Sequence, residues 1–104
     1  MKWKVTLMIS EATVSTAEVI TTGEILIGRT PPADLEIGGA TMSRRHALLR
    51  IDPRGAVTVE DAASTSGVWL NEERVEGPTA FGADDTVRLG HYRLRLLAVE
   101  VLEA

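Results

Sequence analysis

The chain has 104 residues, 44% of them hydrophobic, a formal net charge of −4 and no cysteine. This length suits one domain with its own core, and the missing cysteine excludes disulfides, thiol nucleophiles and thiolate metal sites. The acidic balance argues against a general nucleic-acid binder, which is usually basic. The apolar stretch 5–9 is too short for a leader or a membrane span, so a cytoplasmic protein with no membrane partner is expected.

Short segments with alternating apolar residues, or rich in β-branched residues, predict β-strands along the whole chain. Turn residues separate them, as at Pro31-Pro32, Gly38-Gly39 and Pro53-Arg54-Gly55, and a further turn is predicted at 12–15. The predicted strands cover residues 2–9, 17–22, 25–27, 35–37, 47–51, 57–60, 68–70, 74–75, 86–89 and 92–101. Only 94–102, dense in leucine, is ambiguous. Many short strands without helical periodicity indicate an all-β sandwich or barrel.

Three polar islands interrupt the predicted strands. They are Gly28-Arg29, the Ser-Arg-Arg-His run at 43–46, and the segment 64–71. Arginine supplies a fork of N–H donors, and serine, threonine and backbone N–H groups supply further donors. Because loops at strand ends gather in space, we expect the islands to surround a single phosphate group.

Within the second island, a strand-like backbone would direct Ser43 and Arg45 to one side and Arg44 and His46 to the other. His46 is therefore predicted to act internally, with a ring nitrogen bonded to a nearby backbone group. Taken singly, each island also has an ordinary explanation as a solvated turn, and Gly-Arg alone is a weak signal.

The third island carries three consecutive hydroxyl residues, Ser64, Thr65 and Ser66, followed by Gly67. Such a loop can turn backbone N–H groups outward to form an anion-binding concavity. Asn71 follows where a hairpin turn should begin, because asparagine tolerates the left-handed region.

The order and spacing of these islands resemble the forkhead-associated (FHA) domain family, and the resemblance covers nearly the whole chain. The short segment 34–37 and the acidic Asp61 before the hydroxyl loop fit the same pattern. The residues that match the family's motifs are Gly28, Arg29, Ser43, His46, Ser64, Thr65, Gly67 and Asn71.

This resemblance implies a sandwich of two antiparallel, twisted sheets, about eleven short strands, with the binding loops at one end. It implies one domain over 1–104, with a core from about 3 to 101, that binds phosphothreonine in a partner protein. That partner would be a Ser/Thr kinase or a kinase substrate in signalling, and no cofactor or metal is expected. By the same resemblance, the phosphate contacts would be Arg29, Ser43, Arg44 and Thr65, the peptide-backbone contact Ser66, and the loop-shaping residues Gly28, His46, Ser64, Gly67 and Asn71.

Two positions depart from the family pattern. Ser66 stands where many members have asparagine, and a hydroxyl has one donor where an amide has two. Glu72 stands where glycine commonly follows Asn71. These departures keep open an alternative, an FHA-fold scaffold or oligomerisation domain that has lost its dependence on phosphate.

An enzyme is not expected. Ser43, His46 and Asp61 could be drawn as a triad, but the chain has no G-x-S-x-G elbow, and strand alternation would turn Ser43 away from His46. Two histidines, His46 and His91, without a carboxylate cluster do not make a metal site.

Overall fold

The computed structural model describes residues 1–104, which form eleven strands and no helix. The strands are β1 (Lys2–Ser10), β2 (Val14–Thr21), β3 (Glu24–Gly28), β4 (Leu35–Glu36), β5 (Ala47–Ile51), β6 (Val57–Asp61), β7 (Val68–Leu70), β8 (Glu73–Arg74), β9 (Thr79–Ala80), β10 (Val87–Leu89) and β11 (Tyr92–Glu103). The all-β prediction is confirmed. A helix of membrane-spanning length and apolarity is absent.

The strands form two sheets. One has the order β2-β1-β11-β10-β7-β8 and the other the order β4-β3-β5-β6-β9. Every pairing is antiparallel except that of β3 with β4, where Ile27 lies opposite Leu35 in a parallel register. The predicted two-sheet sandwich is therefore confirmed, with one parallel pair at the edge of the second sheet.

The core lies between the sheets and follows from the alternation of side chains along each strand. In β1, Trp3, Val5 and Leu7 are buried while the intervening residues are half-exposed. Twenty buried residues form one cluster, to which the loops contribute Met42 and Phe81. Each large aliphatic side chain buried in this way stabilises the fold by about 1.5–3 kcal/mol.

Pairing explains two departures from the predicted strands and resolves the one ambiguous segment as strand. Strand β2 begins at Val14, inside the predicted turn, because Val14 pairs with Ser10. The ambiguous segment 94–102 is strand, because β11 runs along the whole of β1. Strand β9 was not predicted, since it has only two residues and follows Pro78.

The register places the connecting loops at two ends of the sandwich. Ile27 pairs with Ala47, which pairs with Asp61, so the end of β3, the start of β5 and the end of β6 meet. The β10–β11 turn joins them, since His91 N donates to Thr41 Oγ1 at 3.2 Å. We call this the Arg29 end. The turns at 22–23, 52–56 and 71–72 lie at the opposite end, the Asp52 end.

Candidate functional site

An open cleft of about 350 Å³ lies at the Arg29 end. It is lined by Arg29, residues 40–44, Thr65 and Ser66. The cleft therefore brings together four side chains that the sequence proposes as phosphate contacts and the one that it proposes for the peptide backbone. They come from three separate loops, which follow β3, precede β5 and follow β6.

The first two loops are joined through their backbones. Arg29 N donates to Ser43 O at 3.0 Å, directly after the end of β3. A Cβ atom at Gly28 would overlap the carbonyl oxygen of Arg44 and lie 2.7 Å from its carbonyl carbon. Only glycine permits this approach, and Arg29 and Arg44 are thereby held on the same cleft.

The third loop is tied to the second by a hydroxyl group. Thr65 N donates to Ser43 Oγ at 2.9 Å. Ser43 Oγ still has its own proton to donate, since a hydroxyl group both donates and accepts. The loop itself closes through Ser64, whose Oγ accepts from Gly67 N at 2.9 Å and whose N donates to Asp61 Oδ1 at 2.7 Å.

His46 lies fully buried beneath these loops. Its Nδ1 accepts a hydrogen bond from Ser43 N at 3.1 Å, and its Nε2 lies 2.8 Å from Gly67 O. A carbonyl oxygen can only accept, so Nε2 carries the proton and the ring is neutral. Both ring nitrogens are thus committed to backbone groups in the second and third loops.

One sequence expectation about this segment was wrong. Strand alternation does not apply to 43–46, because β5 begins at Ala47 and the residues before it form a bend. The bend brings Ser43 N onto His46 instead of turning the two residues apart. The contact uses the backbone of Ser43, and the engaged ring has no nitrogen free to serve Ser43 as a general base.

The cleft has unbalanced positive charge. Arg29 and Arg44 are exposed, and neither forms a salt bridge. The residues that line the cleft include no carboxylate. An anion that enters here meets two guanidinium groups without displacing a protein counter-charge.

Ser66 and Asn71 have different surroundings from the phosphate-contact residues. Ser66 Oγ lies on the cleft and donates to Thr41 O over a long 3.4 Å. Asn71 lies at the Asp52 end, one strand-length away, in the left-handed region at φ +48°. Its amide bonds Asp85 Oδ1 at 2.8 Å and accepts from Thr86 N at 2.9 Å, so it shapes the β7–β8 hairpin and not the cleft.

The Asp52 end also contains Asp85, a carboxyl group whose pKa is lowered by its hydrogen bonds. The N–H of Gly82 and the amide of Asn71 donate to Asp85 and lower the pKa of its carboxyl group. Glu72 follows Asn71 at φ +67°, so the hairpin forms with a non-glycine residue in the left-handed region.

Sequence reasoning missed two residues that build the cleft. Thr41 links three loops, because its Oγ1 accepts from His91 N and its carbonyl accepts from Ser66 Oγ. Met42 is 1% exposed and anchors the same loop in the core. The sequence signal for this buried anchor was a single methionine in an otherwise polar, turn-rich segment.

Comparison with known proteins agrees with this geometry. The family model described as FHA domain matches residues 25–90, which include all the residues that line the cleft. The chain belongs to the FHA domain family. This FHA domain resembles a solved structure described as a structural and functional analysis of phosphothreonine-dependent FHA domain interactions. The TM-score is 0.77, the identity is 27%, and the match covers 97% of this chain and 99% of the other.

Further relatives are known from structure and from sequence. The FhaA FHA domain, solved in complex with the intracellular domain of Rv3910, matches with a TM-score of 0.78 and 28% identity over 89% of this chain and 99% of that one. The glycogen accumulation regulator GarA of Mycolicibacterium smegmatis is 36% identical over 70 residues, 67% of this chain and 43% of GarA. The oxoglutarate dehydrogenase inhibitor of Corynebacterium efficiens is 35% identical over 71 residues, which are 68% of this chain and 49% of that inhibitor. This chain thus matches less than half the length of these two relatives.

Proposed function

We propose that this FHA domain binds phosphothreonine in partner proteins and so mediates phosphorylation-dependent protein–protein interaction. The observation that carries the proposal is the pair of exposed arginines, Arg29 and Arg44, that share a cleft with no carboxylate. The phosphothreonine-dependent interactions described for a similar FHA structure support it.

The chemistry of the cleft suits a phosphate dianion. Phosphothreonine carries a charge of about −1.5 to −2 at neutral pH. Arg29 would take two phosphate oxygens with its guanidinium fork, while the hydroxyl groups of Ser43 and Thr65 would donate to the others. Hydrogen bonds to a charged group contribute about 1.5–3 kcal/mol each. An unphosphorylated threonine leaves these donors unused, so we expect strong selectivity for the modified peptide.

The remaining assignments belong to the same proposal. Ser66 would hold the peptide backbone, and the loops would keep their shape through Gly28, His46, Ser64 and Gly67. We infer that residues 1–104 act as one FHA domain, as a binding module and not as an enzyme, because His46 has no free nitrogen for catalysis. A Ser/Thr kinase or its substrate in the cytoplasm is the proposed partner class, in keeping with the absence of cysteine.

Titration with a degenerate peptide library by fluorescence anisotropy tests this function. The central residue would be phosphothreonine, phosphoserine or threonine in otherwise identical libraries. We expect saturable binding of the phosphothreonine library and no measurable binding of the threonine library. Circular dichroism on the same samples would establish that the domain is folded.

Binding that is equal for phosphorylated and unphosphorylated peptides would contradict the proposal. So would the absence of binding to any library by the folded domain. That second result would favour the scaffold alternative, and sedimentation velocity would then measure whether the chain associates with itself.

A further inference from the structure

The outer face of the first sheet carries a row of cations beside the cleft. Strands β10 and β11 alternate buried and accessible residues, so Arg88, Arg93 and Arg95 all point away from the core. The register places Arg93 beside Arg88, Arg88 beside Trp69, and Trp69 beside Arg74. We call these five residues the arginine face. It holds four of the chain's nine arginines, although the chain is acidic overall.

Trp69 contacts two of the four arginines through its ring. Its ring lies 5.0 Å from the guanidinium of Arg88 and 5.8 Å from that of Arg74, both within cation–π range. These contacts keep both guanidinium groups beside the indole ring. Arg74 is exposed and the side chain of Arg88 is 27% exposed, so both remain able to meet an anion.

Most of this positive charge has no counter-charge in the protein. Arg88 pairs with Glu72 at 3.4 Å, whereas Arg74, Arg93 and Arg95 form no salt bridge. The other half of the same sheet differs. There Lys4 lies 3.5 Å from both Glu18 and Glu100, and these carboxylates raise its pKa.

The arginine face is continuous with the cleft. Trp69 Nε1 donates to Ser66 O at 3.2 Å, and Ser66 lines the cleft. A Cβ atom at Gly67 would lie 3.3 Å from Arg74 Cζ, so the guanidinium packs directly against the third loop. A peptide that leaves the cleft over Ser66 therefore passes onto this row of arginines.

We propose that the arginine face binds an acidic segment of the phosphothreonine partner, next to the phosphorylated residue. The inference rests on the proposed function, and it names the class of partner: phosphoproteins in which aspartate or glutamate clusters beside the phosphothreonine. An extended peptide advances about 3.3 Å per residue and strands lie about 4.8 Å apart, so about five residues span the four strands of the row. The ion pairs are exposed, so the face adds affinity and orientation to a complex anchored by the phosphate.

Fluorescence anisotropy at low salt tests the inference with three phosphothreonine peptides. One has neutral flanks, and the others add about six aspartates before or after the phosphothreonine. We expect one of the two acidic peptides to bind about three- to tenfold more tightly than the neutral peptide. Two or three exposed ion pairs would account for a gain in affinity of this size. The double variant Arg93→Gln/Arg95→Gln should lose this gain and keep the parent's affinity for the neutral peptide.

The matched control is Arg54→Gln, which removes an unpaired arginine at the Asp52 end and should leave the gain intact. Equal binding of all three phosphopeptides would overturn the inference, as would a gain that survives in the double variant. A third result would also overturn the inference and assign the face to membranes. In that result the parent binds phosphatidylserine vesicles, the double variant does not, and the parent gains no affinity from the acidic flanks. Failure of the parent to bind even the neutral phosphopeptide would instead overturn the proposed function.

Discussion

The two ends of the sandwich differ in charge balance. The larger hollow, about 710 Å³, lies at the Asp52 end, where Arg50 is paired with Glu60 at 2.9 Å and with Glu24 at 3.5 Å. The smaller cleft at the Arg29 end has two arginines without carboxylates. A cleft lined by charge of one sign attracts ligands of the opposite charge. We therefore propose the smaller cleft, and not the larger hollow, as the phosphate site.

The loops that border the larger hollow and the cleft are also held differently. In the 52–56 turn beside the larger hollow, the side-chain bonds are local: Asp52 Oδ1 accepts from Arg54 N and Ala56 N within the turn itself. At the Arg29 end, bonds run between loops far apart in sequence, as from Thr65 to Ser43. Cross-linking of separate loops fixes the relative positions of their side chains, which lowers the entropy cost of binding.

The largest expected effect is on affinity, from Arg29→Ala. The change removes a bidentate contact with the phosphate, so we expect phosphothreonine-peptide affinity to fall at least about 100-fold. The melting temperature should barely change, because the side chain is exposed and unpaired. Anisotropy and thermal denaturation measure both, with Arg54→Ala as the matched control. Equal affinity of the Arg29→Ala variant and the parent would refute the site assignment.

Gly28→Ala should have the next largest effect. Its added methyl group would overlap the backbone of Arg44, which cannot yield as a flexible side chain can. We expect the free energy of unfolding to fall by about 3 kcal/mol. Chemical denaturation measures it, and Gly38→Ala is the control, since no atom lies within 4 Å of a Cβ there. Equal losses in the two variants would show that the close approach is not a constraint.

His46→Ala should lower the free energy of unfolding by about 2–3 kcal/mol. The change leaves Ser43 N and Gly67 O without their partner and opens a cavity in the core. Binding should weaken only through the loosened loops. Thermal denaturation and anisotropy separate the two effects, and an equally stable variant without affinity would make His46 a direct ligand.

Glu72→Gly should produce the smallest change, a gain of about 0.5–1 kcal/mol in the free energy of unfolding. Glycine relieves the left-handed strain at φ +67°, and the lost ion pair with Arg88 is an exposed one. Affinity for a neutral phosphopeptide should not change, because this hairpin lies at the Asp52 end. A loss of stability on denaturation would mean that the ion pair outweighs the strain.

Much of this fold and site could be predicted from the sequence. Alternating apolar residues, as in β1, gave the strands, because side-chain burial sets that period directly. Arg29, Ser43, Arg44 and Thr65 were predicted to share a site, and the cleft does bring them together. Their ligand roles stay predictions.

The rest depended on partners distant in sequence. Strand β9 exists only through its pairing with β6, and no local pattern in two residues reveals it. The bend at 43–46 depends on His46 bonding to a loop twenty-one residues away. The arginine face could not be predicted without the strand register. Arg74, Arg88 and Arg93 are far apart in the sequence and become neighbours only in the sheet.

The most direct test of the difference between the two ends is backbone amide NMR during titration with a phosphothreonine peptide. We predict saturable shifts at Arg29, Ser43 and Thr65, with no comparable shifts at Gly23, Asp52 and Ala56 around the larger hollow. Shifts centred on the Asp52 end, or none at either end under conditions where anisotropy detects binding, would contradict the assignment of the site to the cleft.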